Sequence, residues 1–220
     1  MKILYQDNRI LVCIKPAGVV STDEPGGVPE LVRQTLGEQA QCLRIVHRLD
    51  QVVGGVMVLA RSRAAARILS EQVASHSFEK EYLAVLEGVP EQSEGELRDL
   101  LGRDKAKRLT YVASEPGKDV REAILRYRLL EQKDGLSLVK IRLLTGRTHQ
   151  IRCQFASRAL PLVGDCKYGA TAREMEGIAL WSYSLSFQHP QSGERVSFHA
   201  LPQQNWPWTQ FDVLREENPV

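Results

Sequence analysis

A short polar run, HRLD at residues 47–50, lies between mostly apolar stretches at residues 43–46 and 54–60. A carboxylate such as Asp50, beside Arg48, is costly to bury for stability alone. To act as a catalyst it would need a nearby cation that keeps it ionised and a cleft that excludes water. Asp50 is therefore our candidate for a nucleophile or general base, with a structural ion pair or a cap as the alternative.

A second polar segment, TGRTHQIR at residues 145–152, follows a predicted strand. Its glycine ends the strand, and Thr148 is suited to cap a helix over residues 148–159. Backbone N–H groups at the start of a helix have no partner within it and attract phosphate. We therefore predict an anion-binding helix start with Arg147 beside it.

The same predicted helix has two different sides. Ile151 and Phe155 lie four residues apart and indicate a side that faces the core, whereas His149 and Arg152 lie three residues apart on another side. This pattern favours a basic side directed at a ligand. A surface helix with ordinary basic residues is the structural alternative.

Tyr82 stands in a strand-like segment, residues 79–86. A tyrosine in a strand most often belongs to the core. Its functional use would be as a flat surface for a nucleobase that has left its stack. The local sequence leaves both interpretations open.

Charge is distributed unevenly along the 220 residues, although the net charge is only +2. Residues 121–160 contain nine Lys and Arg against three Asp and Glu, and residues 41–80 contain six against three. The same two segments carry the polar motifs. This distribution indicates an anionic ligand bound at a site, and not a protein that is basic throughout. Solvated faces of helices and strands are the alternative.

The four cysteines form no CxxC pair, so we expect neither a zinc site nor a disulfide framework. The sequence has no signal-peptide pattern and no apolar run approaching ~18 residues. We therefore expect a cytoplasmic protein without membrane contact. We also expect a monomer that holds no metal.

Hydrophobic periodicity predicts more strands than helices, many of them joined by turns. The fold class that we predict is α+β, with a mixed, mainly antiparallel sheet. Residues 88–95 are polar and turn-rich. The predicted helices cover residues 29–36, 63–75 and 148–159. The predicted strands cover residues 3–5, 10–15, 56–60, 79–86, 107–113, 123–130, 136–144, 178–187 and 195–199.

Together the motifs resemble those of the RluA family of RNA pseudouridine synthases. HRLD or GRTHQIR alone would be suggestive, whereas the whole series in the family's order is highly specific. The matching segments are ILYQDNRILVCIKPAG at 3–18, HRLD at 47–50, GGVMVLARS at 54–62, FEKEYLAVLEG at 78–88, LLTGRTHQIRCQFA at 143–156, PLVGDCKYG at 161–169 and ALWSYSLSFQHPQSGERVSFHA at 179–200.

The resemblance implies one catalytic domain over residues 1–220, folded as two lobes with flanking helices and a central catalytic cleft. It implies isomerisation of uridine in rRNA or tRNA to pseudouridine, with base flipping and without a cofactor. Many family members carry an N-terminal S4-type RNA-binding module, and we expect none here because the chain starts at the catalytic domain.

The resemblance also implies roles for single residues. By motif, Asp50 is the catalytic aspartate, Tyr82 stacks on the target base and Arg152 pairs with the aspartate. Arg48 matches the arginine that helps to displace the target base. The residues that we expect to contact the RNA are Lys15, His47, Arg48, Arg147, Thr148, His149 and Gln150.

Two stretches depart from the family's pattern. The family usually follows HRLD with a Thr-Ser-Gly before the apolar strand, where this chain has QVVGG at residues 51–55, and Leu125 replaces a threonine two residues before Tyr127. The missing hydroxyls bear on loop rigidity and substrate choice more than on the reaction.

Other functions remain as hypotheses. The lost hydroxyls favour an RNA-binding or RNA-chaperone protein on the same fold with impaired catalysis. A glycoside hydrolase would need a second carboxylate at a suitable distance. That hypothesis is weaker, because Asp50 has only cationic or neutral companions in its motifs.

Overall fold

The computed structural model describes residues 1–37, 42–171 and 177–216. The chain divides into two compact units. Unit 1 comprises Met1–Lys80 and Trp181–Pro202, and unit 2 comprises Glu81–Leu180 and Gln203–Val220. Whether they act as the single catalytic domain expected over residues 1–220 stays a prediction.

The chain has more strands than helices, and its sheet is mostly antiparallel, which confirms the predicted α+β fold class. In chain order they are β1 (Lys2–Gln6), β2 (Ile10–Lys15), α1 (Val28–Leu36), β3 (Arg44–Ile45), β4 (Gly54–Ala60), α2 (Arg63–Ala74), β5 (Glu79–Glu87), β6 (Glu94–Asp104), β7 (Leu109–Ala113), β8 (Arg121–Lys133), β9 (Leu136–Leu143), α3 (Gln150–Ala156), β10 (Leu180–Gln188), β11 (Arg195–His199) and α4 (Val213–Glu216). Two short 3₁₀ helices lie at Cys166–Tyr168 and Trp208–Gln210.

In unit 1 the strands lie in the order β1-β2-β4-β10-β11, and β3 also pairs with β4. All of these pairs are antiparallel except β4 with β10. Every residue of β4 is buried, because the strand is covered on both faces. Met57 and Leu59 pack with Val28 and Val32 of α1, whereas Val56 and Val58 pack on the side of α2. A strand buried on both faces reads as a continuous apolar run, which is how the sequence predicted it.

Two helix ends in unit 1 agree with the sequence analysis. Gly37 follows α1 with a φ of 69°, the left-handed conformation that glycine adopts without strain. Ser62 caps α2, because its hydroxyl accepts a hydrogen bond from the Ala65 backbone N–H.

In unit 2 the strands lie in the order β5-β9-β8-β6-β7. The pairs β9–β8, β8–β6 and β6–β7 are antiparallel, and α3 lies against this sheet. The side-chain amide of Gln154 on α3 is buried and donates to the carbonyls of Leu97 and Ala123. Unit 2 also holds a strand that the sequence analysis missed, since β6 begins inside the segment predicted as turns.

Candidate active site

Asp50 lies in the loop between β3 and β4 of unit 1, which is held to residues 18–21. The Ser21 hydroxyl donates to the Leu49 carbonyl (2.8 Å) and accepts from the Leu49 N–H (3.0 Å). The Gly18 N–H donates to the Gln51 carbonyl (2.8 Å), and the Gln51 side chain donates back to the Gly18 carbonyl (3.0 Å). Residues on both sides of Asp50 are therefore fixed, and the half-buried carboxylate is carried on a braced loop.

Lys15 supports the same loop from beneath. Its side chain is fully buried, and its ammonium donates to the carbonyls of Pro16 (2.9 Å) and Gln51 (3.1 Å). Burial lowers the pKa of Lys15 to about 8, and the negative charge of Asp50 opposes that shift. This supporting role was not predicted from the sequence. Its direct contact with RNA stays a prediction.

His47 and Arg48 are neighbours in sequence but differ in exposure. Arg48 is exposed. His47 is buried against Phe78, with ring centroids 5.5 Å apart, and its Nε2 accepts a hydrogen bond from the Val58 backbone N–H. Burial, and then the charge of Lys80, lowers the pKa of His47 to about 3. His47 thus helps to hold the loop against β4 as a neutral side chain, and its predicted contact with RNA stays a prediction.

We expect His47 to make unfolding easier in acid. Its pKa is about 3 in the folded protein against 6.5 normally, so between these values the unfolded chain binds a proton that the folded chain does not. Stability is therefore lost as the pH falls through this window, at about 1.4 kcal/mol for each pKa unit. Urea unfolding between pH 7 and pH 4 measures the slope, which is shallower in His47→Gln.

The matched control is His199→Gln, which removes an exposed histidine of the same unit. It keeps the wild-type slope of unfolding free energy against pH. Equal slopes for wild type and His47→Gln would show that His47 is not a buried neutral imidazole.

Tyr82 lies in the unit 2 part of β5 and is 6% exposed. Of the two residues beside it in sequence, Glu81 is half-buried, whereas Leu83 is buried like Tyr82. Glu81 pairs with Lys140 of β9 at 2.9 Å. Burial fits the core interpretation of Tyr82, and its stacking on a base stays a prediction.

The segment after β9 is folded around the side chain of Gln150. Its carbonyl oxygen accepts from the Thr145 hydroxyl (2.8 Å) and the Arg147 N–H (3.0 Å), and its amide donates to the Ile124 carbonyl (3.1 Å). Gln150 is 3% exposed. This side chain therefore shapes the turn, a role that the sequence analysis missed, and its contact with RNA stays a prediction.

The predicted helix start at Thr148 is wrong. His149, with a left-handed φ of 51°, is the residue before α3, so the helix begins at Gln150 and extends only to Ala156. Thr148 is exposed, and its carbonyl accepts a hydrogen bond from the Thr110 hydroxyl. The left-handed residue prevents helical geometry at Thr148, so no threonine hydroxyl caps the helix.

Arg147 is an exposed basic residue of this turn, and its Nε donates to the Glu122 carbonyl at 2.9 Å. The apolar side of α3 is as predicted, because Ile151 and Phe155 are buried. Arg147 thus has its position fixed while it stays accessible, which suits a phosphate contact.

Arg152 forms a buried charge pair with Asp165 in unit 2. Its Nε and Nη2 donate to the two carboxylate oxygens of Asp165 at 2.7 and 2.8 Å, and the side chains are only 5% and 1% exposed. The guanidinium carbon also lies 5.0 Å from the ring centroid of Tyr168. The sequence analysis assigned no role to Asp165 or Tyr168, although both stand in the matching segment PLVGDCKYG.

Tyr168 is itself fixed at its hydroxyl. The Thr110 backbone N–H donates to it at 2.9 Å, and His149 Nδ1 shares a hydrogen bond with it at the same distance. Burial raises the pKa of Tyr168, while the bonds from Thr110 and the charge of Arg152 act in the opposite direction. His149 is thus in contact with the group that holds Arg152.

The predicted catalytic residues belong to different units. Asp50 is carried by unit 1, whereas Tyr82 and Arg152 belong to unit 2. Within unit 2 the structure brings Arg152 together with Asp165, Tyr168 and, through Tyr168, His149. The pairing of Arg152 with Asp50 stays a prediction.

Two solved structures share this fold. The structure of human RNA Pseudouridylate Synthase Domain Containing 1 has a TM-score of 0.79 over 94% of this chain and 84% of that chain, at 24% identity. Human RNA Pseudouridylate Synthase Domain Containing 4 has the same TM-score over 97% and 93%, at 21% identity. The fold is that of pseudouridylate synthase domains.

The family follows from the sequence. The family model described as RNA pseudouridylate synthase matches residues 9–157, and the chain belongs to this family. It is an isomerase that acts on uridine in RNA, and the resemblance to the RluA family is confirmed.

Individual relatives agree with this assignment. An uncharacterized RNA pseudouridine synthase, YlyB of Bacillus subtilis, is 33% identical over 92% of this chain and 70% of its own length. Ribosomal large subunit pseudouridine synthase D of Xanthomonas campestris is 35% identical over 89% and 64%. The chain thus spans about two thirds of the length of these relatives. None of its described helices has the length and apolar character needed to cross a membrane.

Proposed function

We propose that this isomerase modifies uridine in large-subunit ribosomal RNA, with Asp50 as the group that does the chemistry. The observation that carries the assignment is the family match over residues 9–157, which includes Asp50, Tyr82 and Arg152. Relatives from Xanthomonas campestris and Zymomonas mobilis, 35% and 32% identical, are named ribosomal large subunit pseudouridine synthase D. Their names support ribosomal RNA over transfer RNA.

The reaction breaks the N1–C1′ bond of uridine and joins C5 to C1′. C5 then loses its proton and N1 gains one, so no atom enters or leaves overall. A base stacked in a helix cannot turn in place, so the target nucleotide is extruded first, at a cost of a few kcal/mol. Asp50 then either attacks C1′ or removes a ribose proton.

Three further side chains take part in this proposal. Tyr82 stacks on the base that has been detached, and Arg152 orients the groups that react. The exposed guanidinium of Arg48 helps to displace the target base. The braced loop around Asp50 supports this assignment, since a reacting carboxylate must be held in one geometry.

Exposed cations supply phosphate contacts that offset the cost of extrusion. Arg147 is one of them. Four more lie at the turn between β6 and β7, a surface that we call the β6–β7 tip: Arg103, Lys105, Lys107 and Arg108. Only one acidic residue, Asp104, lies among them, so this tip carries net positive charge toward solvent.

We expect Arg103→Gln with Arg108→Gln to weaken RNA binding without changing the chemical step. The slope of log affinity against log salt concentration is negative, and each lost phosphate contact makes it shallower by about 1. The slope of the double variant is therefore shallower by about 2. Filter binding at several salt concentrations measures this slope. The control is Arg67→Gln on α2, an exposed arginine that pairs with Glu71, and it keeps the wild-type slope. An unchanged slope in the double variant would remove the β6–β7 tip from the RNA contact surface.

The alternative, an RNA-binding or chaperone protein without turnover, rests on the missing hydroxyls at residues 51–55. One experiment separates the two. Purified protein is incubated with unmodified transcripts of large-subunit rRNA and tRNA, and pseudouridine is mapped in both. Product in the rRNA supports the proposal, product in tRNA alone overturns the substrate, and binding without product in either RNA favours the alternative.

A further inference from the structure

Arg152 is contacted by two side chains of unit 2, Asp165 and Tyr168. Asp165 takes the edge of the guanidinium formed by Nε and Nη2, in a bidentate pair at 2.7 and 2.8 Å. The ring of Tyr168 lies 5.0 Å from the guanidinium carbon. A planar cation held at one edge and contacted by an aromatic ring has little freedom to turn.

Asp165 and Tyr168 are themselves held by hydrogen bonds that involve the backbone. Asp165 begins the 3₁₀ turn Cys166–Tyr168, and its own carbonyl accepts hydrogen bonds from the N–H groups of Tyr168 and Ala170. The hydroxyl of Tyr168 is tied to the Thr110 N–H on β7 and to His149 at the start of α3. The two residues that hold Arg152 are therefore fixed relative to each other and to the strand and helix beside them.

The Arg152–Asp165 pair is also electrically neutral as a whole. Asp165 is 1% exposed and neutralises Arg152, which is 5% exposed, so the pair has no net charge. A neutralised arginine acts through the direction of its N–H groups more than through long-range attraction. Its contribution to a reaction then depends on orientation, which Asp165 and Tyr168 set.

We propose that Asp165 and Tyr168 are positioning residues for uridine isomerisation: they hold the Arg152 guanidinium in the orientation that the reaction uses. The proposal rests on the catalytic role of Arg152 in the proposed function. It goes beyond that role because it assigns a task to a motif, GDCKYG at residues 164–169, that neither the sequence analysis nor the proposed function explains.

The test separates the chemical step from RNA binding. Single-turnover rate constants and RNA dissociation constants are measured for Asp165→Asn, Tyr168→Leu and Tyr168→Phe, at temperatures where circular dichroism shows each variant folded. Loss of a group that orients a working side chain typically costs about 10–100-fold. We expect losses of that size in the rate constant for Asp165→Asn and Tyr168→Leu, with unchanged dissociation constants.

Tyr168→Phe keeps the ring beside Arg152 and removes only the hydroxyl, so it retains more of the rate than Tyr168→Leu. Because Asp165→Asn can fail to fold, the two Tyr168 variants carry the test in that case. The matched control is Asp99→Asn, which disturbs the pair of Asp99 with Arg158 beyond the other end of α3. It keeps the wild-type rate constant.

The outcomes distinguish this proposal from the proposed function. If Arg152→Met is inactive while folded Asp165→Asn and Tyr168→Leu react at the wild-type rate, the positioning proposal alone is wrong. A loss in Asp99→Asn as large as that in Tyr168→Leu would also overturn it, because the effect would then be general destabilisation. If wild type makes no pseudouridine, the proposed function fails and this proposal with it. If Arg152→Met keeps full turnover, the role of Arg152 fails and this proposal with it, while isomerisation by the chain stands.

Discussion

Asp50→Asn is expected to abolish pseudouridine formation while leaving RNA binding close to wild type. Asparagine has nearly the same shape, so the braced loop held by Ser21 and Gly18 persists. It can neither attack C1′ nor accept a proton as a carboxylate does, and groups of this kind contribute at least about 10²–10⁴-fold to a rate. Single-turnover kinetics on the rRNA transcript, with filter binding beside them, measure the two quantities.

The control for this change is Asp134→Asn. Asp134 is exposed in the turn between β8 and β9 with a φ of 50°, a conformation that asparagine tolerates well. The same chemical substitution there leaves both rate and affinity unchanged. Wild-type turnover in Asp50→Asn would remove this carboxylate from the mechanism, and a parallel loss of RNA affinity would make it a binding residue.

The second large effect is on stability. Arg152→Met leaves the Asp165 carboxylate buried without its bidentate partner. Breaking one side of a buried ion pair typically costs about 3–5 kcal/mol, because the remaining charge has lost both water and its counter-ion. We expect a loss of this size in the free energy of unfolding, measured by urea titration with circular dichroism.

Two variants test the physical reason for that loss. Arg152→Met combined with Asp165→Leu replaces both charges by apolar groups, so it regains most of the stability. Arg158→Met breaks a pair that is 35% exposed on the arginine side, and Asp99 keeps its bond from Gln154, so it costs at most about 1 kcal/mol. If the double variant were no more stable than Arg152→Met, the unpaired charge would not be the cause.

Local patterns predicted most elements because they depend on neighbouring residues. The buried strand β4, the end of α1 at Leu36 and the start of α2 at Arg63 are all set by residues within a few positions. The strand β6 was missed because its stability comes from partners far along the chain. Arg98 of β6 pairs with Glu122, and Glu96 pairs with Arg126, both on β8. Glu96 and Arg98, to which the sequence assigned no element, thus take part in cross-strand pairs that stabilise the strand.

The site was predictable to a similar extent. HRLD and TGRTHQIR both lie within the residues that the family match covers, but the sequence alone did not show that His47 is buried while Arg48 is exposed. The helix start was misjudged because contacts distant in sequence shape this turn. His149, which has a left-handed backbone, shares a hydrogen bond with Tyr168, and Gln150 donates to the Ile124 carbonyl. The partner of Arg152 was missed because a carboxylate thirteen residues away is brought to it only by the folded turn at Asp165.

The role of Asp50 in the cell is measured as the fraction of pseudouridine at the mapped rRNA position in cells that lack this chain. The cells are supplied with wild type or with Asp50→Asn at equal protein levels. We expect wild type to restore the modification, whereas Asp50→Asn leaves uridine unchanged. Restoration by Asp50→Asn, or full modification in cells without the chain, would contradict it.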